Sequence, residues 1–223
     1  GLDFLLHTIN YNLHYLSGNM SGWKFSSGIN GMWQESANRG TEFLIPAYRL
    51  FDYGLFATMS KEIGHLNMSG GIRYDHRHLC SKALTEEEEG NMITRFEAFK
   101  RNFSGVTGSL GMAYEILPDL SIKANIARGF RAPNISELSS NGVHEGTQRY
   151  ELGNKGLKAE NSWQFDLGLS YTSSIVSAEL TLFANHINRY IYSARKADED
   201  GQPVVSSEQM PVYQFTAGNA RLW

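Results

Sequence analysis

The chain of 223 residues carries 20 Lys and Arg against 23 Asp and Glu, a formal charge of −3, and a single cysteine. No basic excess exists to hold a phosphate backbone, so nucleic acid is excluded as a partner, and one cysteine excludes both an internal disulfide framework and a multi-cysteine zinc module. The mean hydropathy of −0.35 comes with 12% aromatic residues and 22 Gly. No apolar run approaches the roughly 18 residues of a membrane helix, but β-barrel strands alternate apolar and polar faces and average to just such a value.

The opening Gly1-Leu2-Asp3-Phe4 has no basic region and no small-residue cleavage site, so no signal peptide is expected. From Leu5 to Leu16 the chain alternates with a period of two, Ile9, Tyr11, Leu13 and Tyr15 falling opposite Thr8, Asn10, Asn12 and His14. The alternation returns at Trp23, Phe25, Ile29 and Trp33, then at Phe51 to Ser60, and again at His65 to Asp75. A fifth run covers Val106 to Glu115 and a sixth Leu120 to Ile126. Trp163 to Tyr171 gives the cleanest case, with Gln164, Asp166, Gly168 and Ser170 on the other face. An eighth run, Val176 to Ile191, places Phe183 on the polar face, and a ninth begins near Val212.

Short connections (17–22, 62–64, 117–119, 172–175) alternate with long ones (35–46, 76–102, 128–162, 192–211). One end of the sheet therefore carries tight turns and the other long loops. With aromatic residues at the strand ends, this predicts an all-β fold, a transmembrane antiparallel β-barrel, in which a closed sheet pairs every backbone group while facing lipid on one side and a lumen on the other. Tyr48, Lys123, Asn125, Asp166 and Glu179 are expected to face the lumen. A soluble antiparallel domain, which also alternates, is the alternative.

The loop after the sixth strand carries the most specific text: Phe130-Arg131-Ala132-Pro133-Asn134-Ile135-Ser136-Glu137-Leu138, then Gly153-Asn154 and Leu157-Lys158-Ala159-Glu160-Asn161. Together with Gly71-Ile72-Arg73-Tyr74-Asp75 and Phe183-Ala184-Asn185-His186-Ile187-Asn188-Arg189-Tyr190-Ile191, it resembles the barrel of TonB-dependent outer-membrane receptors. The resemblance implies a 22-stranded barrel around an N-terminal plug, so residues 1–223 would be a partial barrel, about eight strands and the start of a ninth, without plug or signal peptide. The end of the chain, with Arg221 where a terminal strand would be apolar, resembles an internal strand of the family. The implied function is energy-coupled import of an iron chelate, a siderophore or haem, across the Gram-negative outer membrane, with membrane lipid and the TonB system as partners. Zinc, copper, cobalamin or a glycan as cargo, and a passive porin, are the alternatives; a porin constriction would show an inward loop with opposing charge ladders, and none is identified in the sequence.

No catalytic motif is present: there is no nucleophile elbow and no phosphate-binding glycine loop, so the chain is read as a non-enzyme without cofactor. Within the long loop Arg131, His144, Arg149 and Tyr150 are the residues proposed to meet the ligand, with Lys155 and Lys158 in the same stretch. Arg forks suit carboxylate or catecholate oxygens, and an imidazole suits haem iron. Arg131 could equally brace the loop against Glu137 or Glu160. The haem pattern expects Asn-Pro-Asn-Leu, whereas Asn154-Lys155-Gly156-Leu157 stands here. His76, His78 and Cys80 are metal-compatible types on one side of an extended segment, but their spacing matches no established site. Glu86-Glu87-Glu88-Glu89 reads as a solvated loop tip.

Overall fold

The computed structural model describes residues 1–88 and 90–223; Glu89, the end of the acidic run, lies outside the described residues. Nine long strands form the wall: β1 (Phe4–Leu16), β2 (Trp23–Asn38), β3 (Tyr48–Ile63), β4 (Leu66–Ser81), β7 (Phe99–Leu117), β8 (Leu120–Arg131), β11 (Glu160–Thr172), β12 (Ser177–Arg195) and β13 (Val212–Leu222). Each pairs antiparallel with its successor. Four short strands lie in the loops: β5 (Leu84–Glu88) with β6 (Asn91–Phe96) as a separate hairpin, and β9 (Asn141–His144) with β10 (Arg149–Leu152). The helix α1 (Ile135–Ser139) precedes β9. No described helix is long and apolar enough to cross a membrane.

The wall is an open sheet that starts at β1 and, beyond β13, is continued at its loop end by β10 and β9. β10 runs parallel to β13, pairing Tyr150–Leu152 with Val212–Gln214. The alternation read in the sequence sets the two faces. Ile72, Leu110, Phe165, Leu167, Leu180 and Leu182 stand on the outer face and are about half exposed, as residues facing lipid would be. Asp52, Arg73, Asp75, Arg77, Asn125 and Asp166 line the inner face. There Arg77 holds Asp52 at 2.6 and 2.9 Å, Arg73 holds Asp75 and donates to Asn30 Oδ1 at 2.7 Å, and Asn125 donates to Asp166 at 3.2 Å. Lys123, Asn125, Asp166 and Glu179 line one inner groove of about 750 Å³, and Tyr48 is buried under the loop described below. Phe183, paired with Asp166, occupies an inner-face position and is 49% exposed.

The strands extend further on the loop side than the alternation suggested. β4 runs to Ser81 and β7 starts at Phe99, so His76, His78 and Cys80 lie within a strand and not in a loop. A bilayer needs only about 9–11 residues of tilted strand, and these strands have 16 and 19. The excess lies on the loop side, where the outer face carries polar side chains such as His76 and His78 and the apolar alternation that betrays a lipid face is lost. The tight turns remain local in origin. Gly64 has φ +57, a left-handed conformation at the first position of a two-residue hairpin turn that favours glycine.

The loop 132–159 stands at the long-loop end of the sheet, as the connection lengths predict. It folds inward. Ile135, Leu138 and Leu157 are buried against Leu50, Leu79 and Phe103 of the inner face and Ile191 of β12. Apolar side chains at the outer end of the inner face have no lipid to meet, and covering them with the loop removes that surface from water. Gly105 lets the Phe130 ring lie flat on β7, since any Cβ there would overlap the ring.

Candidate functional site

The inward loop is held by Arg131 at the end of β8. Its Nε and Nη2 donate to Glu160 at 2.8 and 2.6 Å, and Nη1 donates to Glu137 at 2.9 and 3.0 Å. β8 and β11 place Arg131 opposite Glu160 in register, and α1 brings Glu137 to the other side of the guanidinium. α1 starts at a capping box: the Asn134 side chain accepts from the Glu137 N–H at 2.8 Å, and Glu137 accepts from the Asn134 N–H at 2.9 Å. Both carboxylates are about nine-tenths buried. Glu160 also accepts from the Ile191 N–H at 2.5 Å.

The electrostatics follow from this packing. Hydrogen bonds to Glu160 act with those to Glu137 against burial and hold the Arg131 guanidinium above its ordinary range. Burial alone would raise the Glu160 carboxyl, but the hydrogen bonds from Arg131 and from the Ile191 N–H outweigh it and hold the group below its ordinary value. The guanidinium thus bridges Glu137 of the loop and Glu160 of the β11 wall strand.

His144 and Arg149 are direct partners across the β9–β10 hairpin, and Glu151 lies two residues along the same face from Arg149. Glu151 is 7% exposed and is shared: Arg149 Nη2 stands 2.8 Å and His144 Nδ1 3.3 Å from its Oε1. The Arg149 guanidinium lies 5.0 Å over the Tyr213 ring of β13. His144 remains 42% exposed and Arg149 29%. Tyr150 points to the other face of the hairpin, where its hydroxyl donates to Asn141 Oδ1 at 2.8 Å, and burial pushes its phenol above the usual range. The structure therefore brings His144 and Arg149 together, puts Tyr150 behind them, and keeps Arg131 apart as the brace. Lys155 pairs with Glu97 at 2.6 Å.

Glu151 and Tyr213 complete the His144–Arg149 face and were missed in the sequence. The Arg-x-Glu spacing on one strand face was a readable signal for Glu151. Nothing local announced Tyr213, which arrives through the parallel pairing of β10 with β13.

His76, His78 and Cys80 lie on the outer face of β4. His78 Nε2 is 3.0 Å from Cys80 Sγ and its Nδ1 is 2.6 Å from Asn102 Oδ1, while His76 Nδ1 is 2.7 Å from Ser104 Oγ. The three do not converge, and among the described residues no group of three His, Cys, Asp or Glu is arranged to hold a metal ion.

Comparison with known proteins bears on the whole chain. The family model described as TonB dependent receptor-like, beta-barrel matches residues 3–223. The ferric enterobactin receptor of Pseudomonas aeruginosa is 34% identical over 94 residues, covering 38% of this chain and 13% of that protein. Among solved structures, a double mutant of the Serratia marcescens hemophore receptor HasR, in complex with its hemophore HasA and heme, superimposes with a TM-score of 0.74 at 17% identity, over 98% of this chain and 38% of that one. The copper transporter OprC gives 0.75 at 17% identity over 97% and 34%. The siderophore receptor PirA from Pseudomonas aeruginosa gives 0.53 at 20% identity over 98% and 45%. These likenesses establish a shared fold, and the chain spans less than half the length of each. With the alternating strands, the inward loop and a family match over nearly every residue, the chain belongs to the TonB-dependent receptor family as part of its β-barrel.

Proposed function

We propose that this chain supplies wall and mouth loops of a Gram-negative outer-membrane receptor that imports an iron chelate, a siderophore or haem, with energy delivered from the TonB system through a plug elsewhere in the protein. The observation that carries this reading is the part-exposed His144–Arg149 face, seated on the buried Glu151 and the Tyr213 ring. It offers a planar donor fork for oxyanions of a ferric chelate and an imidazole of the type that ligates haem iron. In this reading His144 and Arg149 touch the ligand, Tyr150 steadies their hairpin, and Arg131 positions the loop that carries them. The ferric enterobactin receptor relationship supports a siderophore as the first ligand to try.

The test is equilibrium binding to the full-length receptor with a ferric tris-catecholate and with haem as separate probes. Arg149→Ala is expected to weaken the catecholate at least tenfold, about 1.4 kcal/mol, while His144→Ala weakens haem if haem is the cargo. Unchanged affinity for both probes in the double variant refutes the assignment of this face.

A further inference from the structure

The outer face just beyond the apolar band carries a patch that neither lumen nor loop chemistry uses. Trp33, Phe51, Tyr53 and Tyr74 form the upper aromatic margin on β2, β3 and β4, the position of an interfacial belt. Tyr53 stacks on His76 at 5.1 Å, so polar side chains begin where the belt ends. One register step above Phe51 and His78, a row crosses four strands: Glu35, Arg49, Cys80 and Lys100 are successive partners on β2, β3, β4 and β7. Lys82 joins them from just past β4.

Three cations therefore face one carboxylate in this row. Arg49 Nε donates to Glu35 Oε1 at 2.8 Å and Lys82 Nζ stands 3.3 Å from the same oxygen, while Lys100 makes no ion pair among the described residues. The Arg49 and Lys82 side chains are 61% and 51% exposed. A local positive excess here contrasts with a chain whose formal charge is −3. Asn102 and Ser104 add polar groups between the cations and the belt. Beside the apolar band, at the height where headgroups begin, such a surface complements a negatively charged headgroup.

We infer that the Arg49–Lys82–Lys100 patch binds the phosphate groups of lipid headgroups in the outer leaflet. The ammonium groups supply point charge and the Arg49 fork supplies paired donors to phosphate oxygens. The inference rests on the membrane-spanning reading of the wall and concerns a surface that faces away from the ligand loop.

The test uses the full-length receptor in nanodiscs of phosphatidylcholine doped either with a diphosphorylated glycolipid, lipid A, or with its dephosphorylated form, with lipid retention after detergent extraction counted by native mass spectrometry. Wild type is expected to retain the phosphorylated lipid at least about tenfold better than the dephosphorylated one. An excess of inorganic phosphate is expected to leave that retention unchanged, which separates a headgroup site from a free-phosphate site. Arg49→Gln/Lys82→Gln/Lys100→Gln abolishes the preference, whereas the inner-face pair Lys24→Gln/Lys123→Gln retains it. Equal retention of both lipids by wild type overturns the inference without any variant having to fold. So does a triple variant that keeps the preference. Failure to enter nanodiscs of either composition overturns the membrane reading itself, a result distinct from insertion without discrimination.

Discussion

Arg131→Gln should release the inward loop while leaving the wall intact. The guanidinium is the shared partner of Glu137 and Glu160, both about nine-tenths buried, and is itself 43% exposed. Removing one member of a fully buried ion pair costs about 3–5 kcal/mol. Solvent screening at the exposed side of Arg131, together with the N–H donors that Glu160 and Glu137 keep from Ile191 and Asn134, reduces this to roughly 2 kcal/mol. At about 1.4 kcal/mol per tenfold, loop opening becomes roughly 30-fold more frequent. Hydrogen exchange on the full-length receptor reads this at the Glu137, Leu138 and Ser140 amides, which are bonded within the loop. Strand amides of β8 and β11 should keep their protection. The pH dependence has a definite sign: Glu160 titrates below its ordinary value in the folded loop, so its contribution is complete above the ordinary carboxylate value of 4.5 and is lost as pH falls through the depressed one. In Arg131→Gln, burial is left with weaker opposition, and loop opening moves to higher pH. Unchanged protection at α1 in the variant, or equal loss across β8 and β11, would refute the bracing role.

The face assignment predicts a contrast between neighbours on β7: Leu110→Arg, on the lipid side, should cost about 2–4 kcal/mol near the midplane, whereas Ser109→Arg on the inner side should be tolerated, both measured by folding into vesicles. Gly105→Ala forces a methyl into the Phe130 ring and should destabilise by about 1–3 kcal/mol, seen as a lower urea midpoint for the full-length barrel. Asn134→Ala removes the side-chain half of the α1 capping box, about 1 kcal/mol, and should raise proteolytic cleavage between Asn134 and Ser140 without altering heat-modifiable mobility of the barrel.

Much of the fold was legible in the residues because a lipid-facing wall writes its orientation locally. Trp163, Phe165, Leu167, Leu169 and Tyr171 declare one face, Gln164, Asp166, Gly168 and Ser170 the other, and strand partners only repeat that assignment. Even Phe183, the exception to the pattern, sits on the inner face where its parity put it. The upper strand ends were not legible: beyond Tyr74 and Val106 neither face meets lipid, so His76, His78, Cys80 and Asn102 read as loop although their backbones continue the ladder. The pairing of Arg131 with Glu137 and Glu160 was one of two readings open in the sequence, and the register of β8 with β11 joins the partners.

Period-two alternation, an interaction of each residue with its immediate solvent, was sufficient by itself to determine an all-β wall with a lipid face, a polar lumen face, tight turns at one end and long loops at the other. The inward fold of residues 132–159, the His144–Arg149 face on Glu151 and Tyr213, and the cationic row on β2, β3, β4 and β7 were decided only in three dimensions. Each depends on contacts between segments tens of residues apart, and no local pattern encodes which distant strand will stand beside which loop.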